Sequence, residues 1–178
     1  MIVNFGKALA FALRWEGKLS DDLLDRGGRT AYGVTQRTYD AWRKAKGLEQ
    51  NDVWSITQGE VADLYKERYW AMCRCDLLPN RLDICMFDAS VNHGTRKAVQ
   101  FLQRSVGVVD DGEFGPQTMR ALSQDESSDR LEWVITSYLN HREQFYAAIV
   151  HRDPKQVKFI KGWMNRLNDL RKEVGVTP

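Results

Sequence analysis

Residues 15–35 read WEGKLSDDLLDRGGRTAYGVT, and the rest of the chain is interpreted around them. An apolar helical run ends at Glu16, and a loop with three carboxylates follows it (Asp21, Asp22 and Asp25). The pair Gly27-Gly28, just before Thr30, permits backbone conformations that residues with a side chain avoid. The stretch therefore predicts that an acidic group at a helix end, loop carboxylates and a hydroxyl share one region of the fold.

Glu16 continues the apolar line of the first predicted helix, whose members follow at steps of three and four: Ile2, Phe5, Leu9, Ala12 and Leu13. A carboxyl group shielded from water suits a general acid, whereas a carboxylate in a wet loop stays ionised. Cleavage of a glycosidic bond needs one group of each kind. The residues alone are equally compatible with Glu16 as a solvated helix end, and they leave the second group open among the three loop aspartates.

The composition is typical of a globular protein, and 178 residues suit one compact domain or two small subdomains. The formal net charge is only +2, whereas nucleic-acid-binding proteins usually carry a strong basic excess, so no nucleic-acid partner is expected. The apolar run from Ala8 to Leu13 is too short for a signal peptide or a membrane span. We therefore expect neither a signal peptide nor stable membrane insertion.

The three cysteines, Cys73, Cys75 and Cys85, form no even disulfide framework and indicate synthesis in a reducing compartment. A zinc site made of these thiols and His93 is the alternative, but the C-x-C spacing differs from the usual zinc knuckle and no second cluster exists. We expect free, half-buried thiols, no metal and no cofactor. Six tryptophans are a high count, and they indicate a packed core or stacking surfaces for sugars, with the core favoured.

The chain is predicted to be almost entirely helical. Thr35 is expected to cap one helix, Thr57 and Glu60 to form a capping box, and Pro116 to begin a later helix. The last helix is expected to bury an apolar face that starts at Val157, and Asp88 is a candidate for a structural hydrogen bond between helices. The predicted helices cover residues 2–16, 35–46, 57–71, 81–92, 96–106, 116–122, 130–150 and 155–173.

A series of short motifs runs along the chain: EG (16–17), DRGGRTAYGVT (25–35), RYW (68–70), CDLLP (75–79), MFDASVNHG (86–94), LQ (102–103), DGEFGPQT (111–118) and GWMNR (162–166). In these motifs and their order, the chain resembles glycoside hydrolase family 108 muramidases fused to a predicted peptidoglycan domain. The spacing of Glu16, Asp25 and Thr30 also resembles the Glu-Asp-Thr constellation of phage-type lysozymes. Two departures are Lys18-Leu19, where the family commonly has Gly-Tyr, and Arg26, where it commonly has proline.

The resemblance implies a mainly α, lysozyme-like helical fold, with a small β-hairpin expected near Tyr32. It implies a catalytic part over residues 1–91 and a helical peptidoglycan-binding part over residues 92–178, packed on the first. It further implies that Glu16 is the catalytic acid and that Asp25 and Thr30 position the attacking water. The implied reaction is hydrolysis of the β-1,4 bond between N-acetylmuramic acid and N-acetylglucosamine.

Tyr32, Gln36 and Asn92 are the candidate sugar contacts, because polar and aromatic groups near a cleft can bond to and stack on a saccharide. Each has a structural alternative. Tyr32 fits a core aromatic, Gln36 a first-turn helix residue, and Asn92 a helix cap.

The expected partner is the peptidoglycan glycan strand, and we expect a monomer. The simplest context is a phage endolysin, made in the host cytoplasm and acting in the periplasm and cell wall after a separate protein permeabilises the membrane. A secreted bacterial muramidase effector fits equally well. The alternatives in function are a lytic transglycosylase, a chitinase and a non-catalytic wall-binding protein.

Overall fold

The computed structural model describes residues 2–17, 19–20, 29–124 and 127–176, and it is mainly α-helical, as predicted. The chain divides into two compact units. The smaller unit is Leu9–Arg68, and the larger unit combines Met1–Ala8 with Tyr69–Pro178. The predicted boundary between residues 91 and 92 stays a prediction. No helix in the described part of the chain has both the length and the apolar character that a membrane span requires.

The smaller unit combines helices with a three-stranded antiparallel sheet in the order β1-β2-β3. Thr35 caps α2 by accepting a hydrogen bond from the Thr38 backbone N–H at 3.2 Å, and the Thr57–Glu60 capping box opens α3, so both predictions are confirmed. The elements are α1 (Ile2–Trp15, which begins in the larger unit), β1 (Leu19–Ser20), β2 (Thr30–Ala31), β3 (Val34–Thr35), α2 (Gln36–Ala45), a 3-10 turn (Val53–Ser55), α3 (Gln58–Tyr65) and a π-helical turn (Lys66–Ala71, which ends in the larger unit).

The buried face of α1 differs from the predicted line. Ala8, Phe11 and Ala12 are buried, whereas Leu9 and Leu13 are half-buried. The physical reason is that every residue from Ala8 to Leu13 is apolar, so the periodicity does not select one face of this helix.

In the larger unit, α4 packs against α5 and α7. Its residues are buried without a break from Leu82 to Ser90, as expected for a helix that is apolar on most sides. Pro116 begins α6, as predicted, and Gly107 ends α5 with φ 75°. The helices are α4 (Leu82–His93), α5 (Thr95–Val106), α6 (Pro116–Leu122), α7 (Ser128–Arg152) and α8 (Val157–Glu173).

The predicted apolar face of α8 is wrong at its start, because Val157 is 57% exposed. Leu167 and Leu170 are buried, but two arginines, Arg166 and Arg171, are buried beside them. Buried arginines require acidic or polar partners, and Arg171 donates to Asn140 and Glu143 of α7. Partners on other helices therefore decide which part of α8 enters the core.

Asp88 lies in a buried ion cluster with Arg142 and Arg166. Its carboxylate is 2.8 Å from a guanidinium nitrogen of each arginine, and Asp88 and Arg142 are fully inaccessible to solvent. Burial would raise the pKa of Asp88, but the two arginines outweigh it and hold the pKa below its usual value. The structural role considered for Asp88 is confirmed.

The three cysteines are free, as predicted, but they are buried rather than half-buried. Burial raises the pKa of Cys73 and of Cys85 to about 12. Their reactive thiolate forms are therefore negligible at neutral pH. Within the described residues, no three His, Cys, Asp or Glu side chains are arranged to hold a metal ion.

His93 should make the stability of the fold dependent on pH. Burial, followed by the nearby Arg142, lowers its pKa from 6.5 to about 3, and its ring packs against Phe101, Phe145 and Tyr146. Below pH 6.5, His93 binds a proton in the unfolded chain but stays neutral in the folded protein. The free energy of unfolding therefore decreases as the pH is lowered. At pH 5 we expect a loss of about 2 kcal/mol.

Urea unfolding of wild type and His93→Phe between pH 5 and 8 measures this dependence. The phenylalanine keeps an aromatic ring without a titratable group, so its stability should vary less with pH over this range. Parallel pH profiles for the two proteins would contradict the prediction.

Candidate active site

The predicted hairpin is present and has an unusual turn. β2 and β3 pair through Thr30 with Thr35 and Ala31 with Val34, leaving Tyr32-Gly33 as a two-residue connection. Both turn residues have positive φ, 52° for Tyr32 and 73° for Gly33, as type I′ hairpins require. A tyrosine in this conformation is uncommon and persists only where surrounding contacts impose it.

Tyr65 of α3 supplies one such contact. Its hydroxyl donates a 2.7 Å hydrogen bond to the Tyr32 backbone carbonyl, and the Tyr65 side chain is buried. Because Tyr65 lies on a helix that begins with a capping box, the turn is held by a rigid element. The hairpin turn is thus fixed from a position 33 residues further along the chain.

Glu16 follows the end of α1, and its backbone N–H still donates to the Ala12 carbonyl at 3.1 Å. The residue is half-buried, and its side chain lies over the Gly33 backbone. A Cβ placed on Gly33 would lie 3.0 Å from Glu16 Oε2 and 2.8 Å from the Tyr65 hydroxyl oxygen. The carboxyl of Glu16 and the phenol of Tyr65 therefore meet over a glycine that has no room for a side chain.

Gly33→Ala should displace the Glu16 carboxyl. With Glu16 as the catalytic acid that the family resemblance implies, activity should fall by about a hundredfold, because small displacements of a catalytic group have effects of this size. The positive φ adds a loss of stability of about 1–2 kcal/mol. Gly47→Ala is the matched control, because Gly47 has φ 68° but nothing within 4 Å of a new Cβ. Both variants should lose stability in thermal unfolding because of the positive φ, and Gly33→Ala should lose more, because its Cβ also collides with Tyr65 and Glu16. Equal activity of the two variants would contradict the placement of Glu16 against Gly33.

The other predicted site residues have different surroundings. Thr30 is half-buried in β2, two residues before the turn, and Tyr32 is half-buried within it. Asp25 lies outside the described residues, together with Asp21, Asp22, Lys18 and Arg26. In the larger unit, Asn92 accepts a 2.9 Å hydrogen bond from the Tyr146 hydroxyl. The structure brings Glu16 together with the turn that Tyr32 begins.

Gln36 has a structural role in the smaller unit. Its amide donates to Asp40 Oδ1 and to the Asn51 carbonyl, both at 2.8 Å, and accepts from the Val53 N–H at 2.7 Å. It therefore fixes one wall of a polar cleft of about 300 Å³, which is lined by Gln36, Asp40, Gln50, Asn51 and Asp52. Direct contact of Gln36 with sugar stays a prediction.

An exposed tryptophan lies beside this cleft. Trp54 is 40% exposed, and the Arg29 guanidinium lies 4.6 Å from its ring centre while pairing with Asp52 at 2.8 Å. Of the six tryptophans, only Trp42 and Trp70 are buried, whereas Trp15 and Trp163 are half-buried and Trp54 and Trp133 are exposed, so the core interpretation holds for two of them. A polar cleft with an aromatic side chain at its edge is the kind of surface that holds a saccharide.

The glycosyl hydrolase 108 family model matches residues 9–94, and the model of a predicted peptidoglycan domain matches residues 97–168. Residues 9–94 are a glycosyl hydrolase 108 domain. The chain is also similar to the solved structure of SagA from Brucella abortus, with 29% identity and a TM-score of 0.77 over 98% of this chain and 95% of that one. No curated protein matches the sequence.

These matches confirm the family resemblance and the lysozyme-like fold. With a glycosyl hydrolase 108 domain followed by a peptidoglycan domain, the chain is a glycosidase that acts on peptidoglycan. Glu16, the hairpin and the polar cleft all lie within the residues that the glycosyl hydrolase 108 model matches.

Sequence reasoning missed the roles of Gly33, Tyr65, Arg29 and Trp54. The Tyr32-Gly33 pair between short β-prone segments was a usable signal for a tight hairpin turn. Tyr65 carried no such signal, because its spacing on α3 is that of a core residue. Its contribution to the glycosyl hydrolase 108 domain depends on a contact between distant parts of the sequence.

Proposed function

We propose that this protein is an N-acetylmuramidase that hydrolyses the β-1,4 bond between N-acetylmuramic acid and N-acetylglucosamine. The observation that carries the proposal is the half-buried Glu16 carboxyl held over Gly33 at the tip of the hairpin. Glu16 protonates the leaving oxygen. A helix end and a two-residue turn form a rigid frame for a general acid, which must be aimed at one oxygen atom.

Asp25, with the Thr30 hydroxyl, activates the attacking water. If these groups act on water rather than on the sugar, the anomeric configuration inverts. Tyr32 and the polar cleft beside Trp54 hold the glycan strand, and no metal or cofactor takes part.

Asp25→Asn distinguishes hydrolysis from transglycosylation. A hydrolase that needs Asp25 to activate water should lose about a hundredfold or more in rate. A lytic transglycosylase uses the muramic acid C6 hydroxyl instead of water, so this change would be nearly silent and the products would be lighter by one water. Mass spectrometry of wild-type products and initial rates of the variant, with Asp63→Asn as an exposed control, separate the two mechanisms.

We further propose that the protein is a monomeric phage endolysin. It is made in the cytoplasm of the host bacterium and reaches the periplasm and cell wall after a separate protein permeabilises the membrane. Its expression in a Gram-negative host with and without a membrane-permeabilising protein tests this context. Lysis that requires the permeabilising protein supports the endolysin proposal, and equal lysis without it contradicts the proposal.

A further inference from the structure

A second cleft, of about 490 Å³, lies in the larger unit. Its charged side chains are Arg74, Arg96 and Glu113, and its apolar ones are Met72, Val99 and Phe114. The predicted peptidoglycan domain matched over 97–168 includes Val99 and the Gly112–Gly115 wall of this cleft, whereas Arg74 lies within the 9–94 match and Arg96 lies between the two. The match does not say which part of peptidoglycan the cleft would bind.

One wall of the cleft is the Gly112–Gly115 segment, and a buried glutamine organises it together with the preceding Asp111. Gln103 Nε2 donates to Asp111 Oδ1 at 2.7 Å and to the Glu113 carbonyl at 3.0 Å, while its Oε1 accepts from the Gly112 N–H at 2.8 Å. Asp111 Oδ1 also accepts from the Glu113 N–H at 2.8 Å. The wall is therefore formed in advance of any ligand, which reduces the entropy lost on binding.

The backbone is in a left-handed conformation at Arg74 and at Gly112, which lies against Arg96. Arg74 has φ 51°, a left-handed conformation that is uncommon for residues with a side chain. Gly112 has φ 80°, and a Cβ at this position would collide with the Arg96 side chain. Because Gly112 has no side chain, the Arg96 side chain has room to lie along the cleft.

The charges of the cleft indicate the chemistry of its ligand. Arg74 and Arg96 are exposed, and neither lies within ion-pair distance of an acidic side chain in the described ranges. Hydrogen bonds from the Glu113 N–H and Gln103 lower the pKa of the Asp111 carboxyl, and Arg96 is near enough to contribute to this shift. Guanidinium groups bind carboxylates with strong, charge-assisted hydrogen bonds. Two arginines and three apolar side chains in the lining suit a peptide that carries carboxylates and methyl groups, whereas an uncharged sugar strand does not require them.

We propose that this cleft binds the acidic stem peptide of peptidoglycan. Arg74 and Arg96 hold its carboxylates, Glu113 faces an ammonium group of a diamino acid residue, and Met72, Val99 and Phe114 cover alanine methyl groups. The proposal rests on the proposed function in so far as both concern peptidoglycan. The protein would then recognise the peptide through the larger unit and cleave the glycan through the smaller one.

Calorimetric titration of the full chain with a purified stem tetrapeptide tests the proposal, because this peptide contains no glycosidic bond. The same peptide with amidated carboxylates, and inorganic phosphate, are the comparison ligands. The variants are Arg96→Gln and the double variant Arg74→Asn/Arg96→Gln, in which asparagine tolerates the left-handed backbone. Arg120→Gln, an exposed arginine outside the cleft, is the matched control.

We expect the peptide to bind the wild type and Arg120→Gln equally, and Arg96→Gln about tenfold more weakly, as the loss of a charge-assisted hydrogen bond implies. Equal binding by the double variant, equal binding of the amidated peptide or phosphate, or no peptide binding at all would overturn the proposal. Glycan cleavage by the same samples separates the two ideas. Cleavage without peptide binding defeats only the inference about the cleft, and peptide binding without cleavage defeats only the muramidase.

Discussion

Glu16→Gln is expected to lower the rate of glycan cleavage by about a thousandfold, because glutamine cannot supply the proton of a general acid. The side chains are nearly identical in size, so glutamine should fit over Gly33 and leave the fold intact. The variant should therefore still bind wall fragments. Initial rates on purified peptidoglycan, together with pelleting of the protein with walls, measure the two properties separately.

Glu49→Gln is the matched control for this prediction. Glu49 lies in the same unit, and its side chain is exposed after α2. Its rate should equal that of the wild type. If Glu16→Gln cleaves as fast as Glu49→Gln, Glu16 is not the acid, and the hairpin turn does not position a catalytic group through it.

Asp88→Ala is expected to have the largest effect on stability, about 3–5 kcal/mol, because it leaves two buried guanidinium groups without their counter-ion. This is a large part of the total stability of a typical domain, so much of the protein should be unfolded or insoluble. Urea unfolding of the soluble fraction measures the change. If Asp88→Ala loses no more unfolding free energy than the replacement of an exposed aspartate does, the buried ion cluster does not stabilise the fold as described.

Asp110→Ala is the control, because Asp110 pairs with Arg104 on the surface, where the two side chains are 38% and 45% exposed. Solvent screens such a pair, so its removal should leave the free energy of unfolding nearly unchanged. The comparison separates the effect of burial from that of losing an aspartate.

Local signals in the sequence predicted much of the fold. Thr35, the Thr57–Glu60 capping box and Pro116 marked helix starts that the structure confirms, because caps depend on residues within one turn. A hairpin near Tyr32 was expected from the family resemblance, but its turn at Tyr32-Gly33 was not predicted, although the chemistry of that turn is equally local.

The remainder depends on contacts between distant residues. Arg166 is buried because it pairs with Asp88, 78 residues away in the sequence. The periodicity of apolar residues in α8 gives no sign of this partner. The wrong expectation for Val157 has the same origin. Tyr65 likewise holds a turn 33 residues earlier in the chain. The roles of Asp25 and Thr30 remain predictions from the family resemblance.

The most direct test of the proposed chemistry is to digest purified peptidoglycan with wild type and Glu16→Gln and to identify the new reducing ends by borohydride reduction and mass spectrometry. We predict reduced muramic acid ends with the wild type and almost none with the variant. Reduced glucosamine ends, anhydro-muramic ends, or equal release by both proteins would contradict a muramidase that uses Glu16 as its acid.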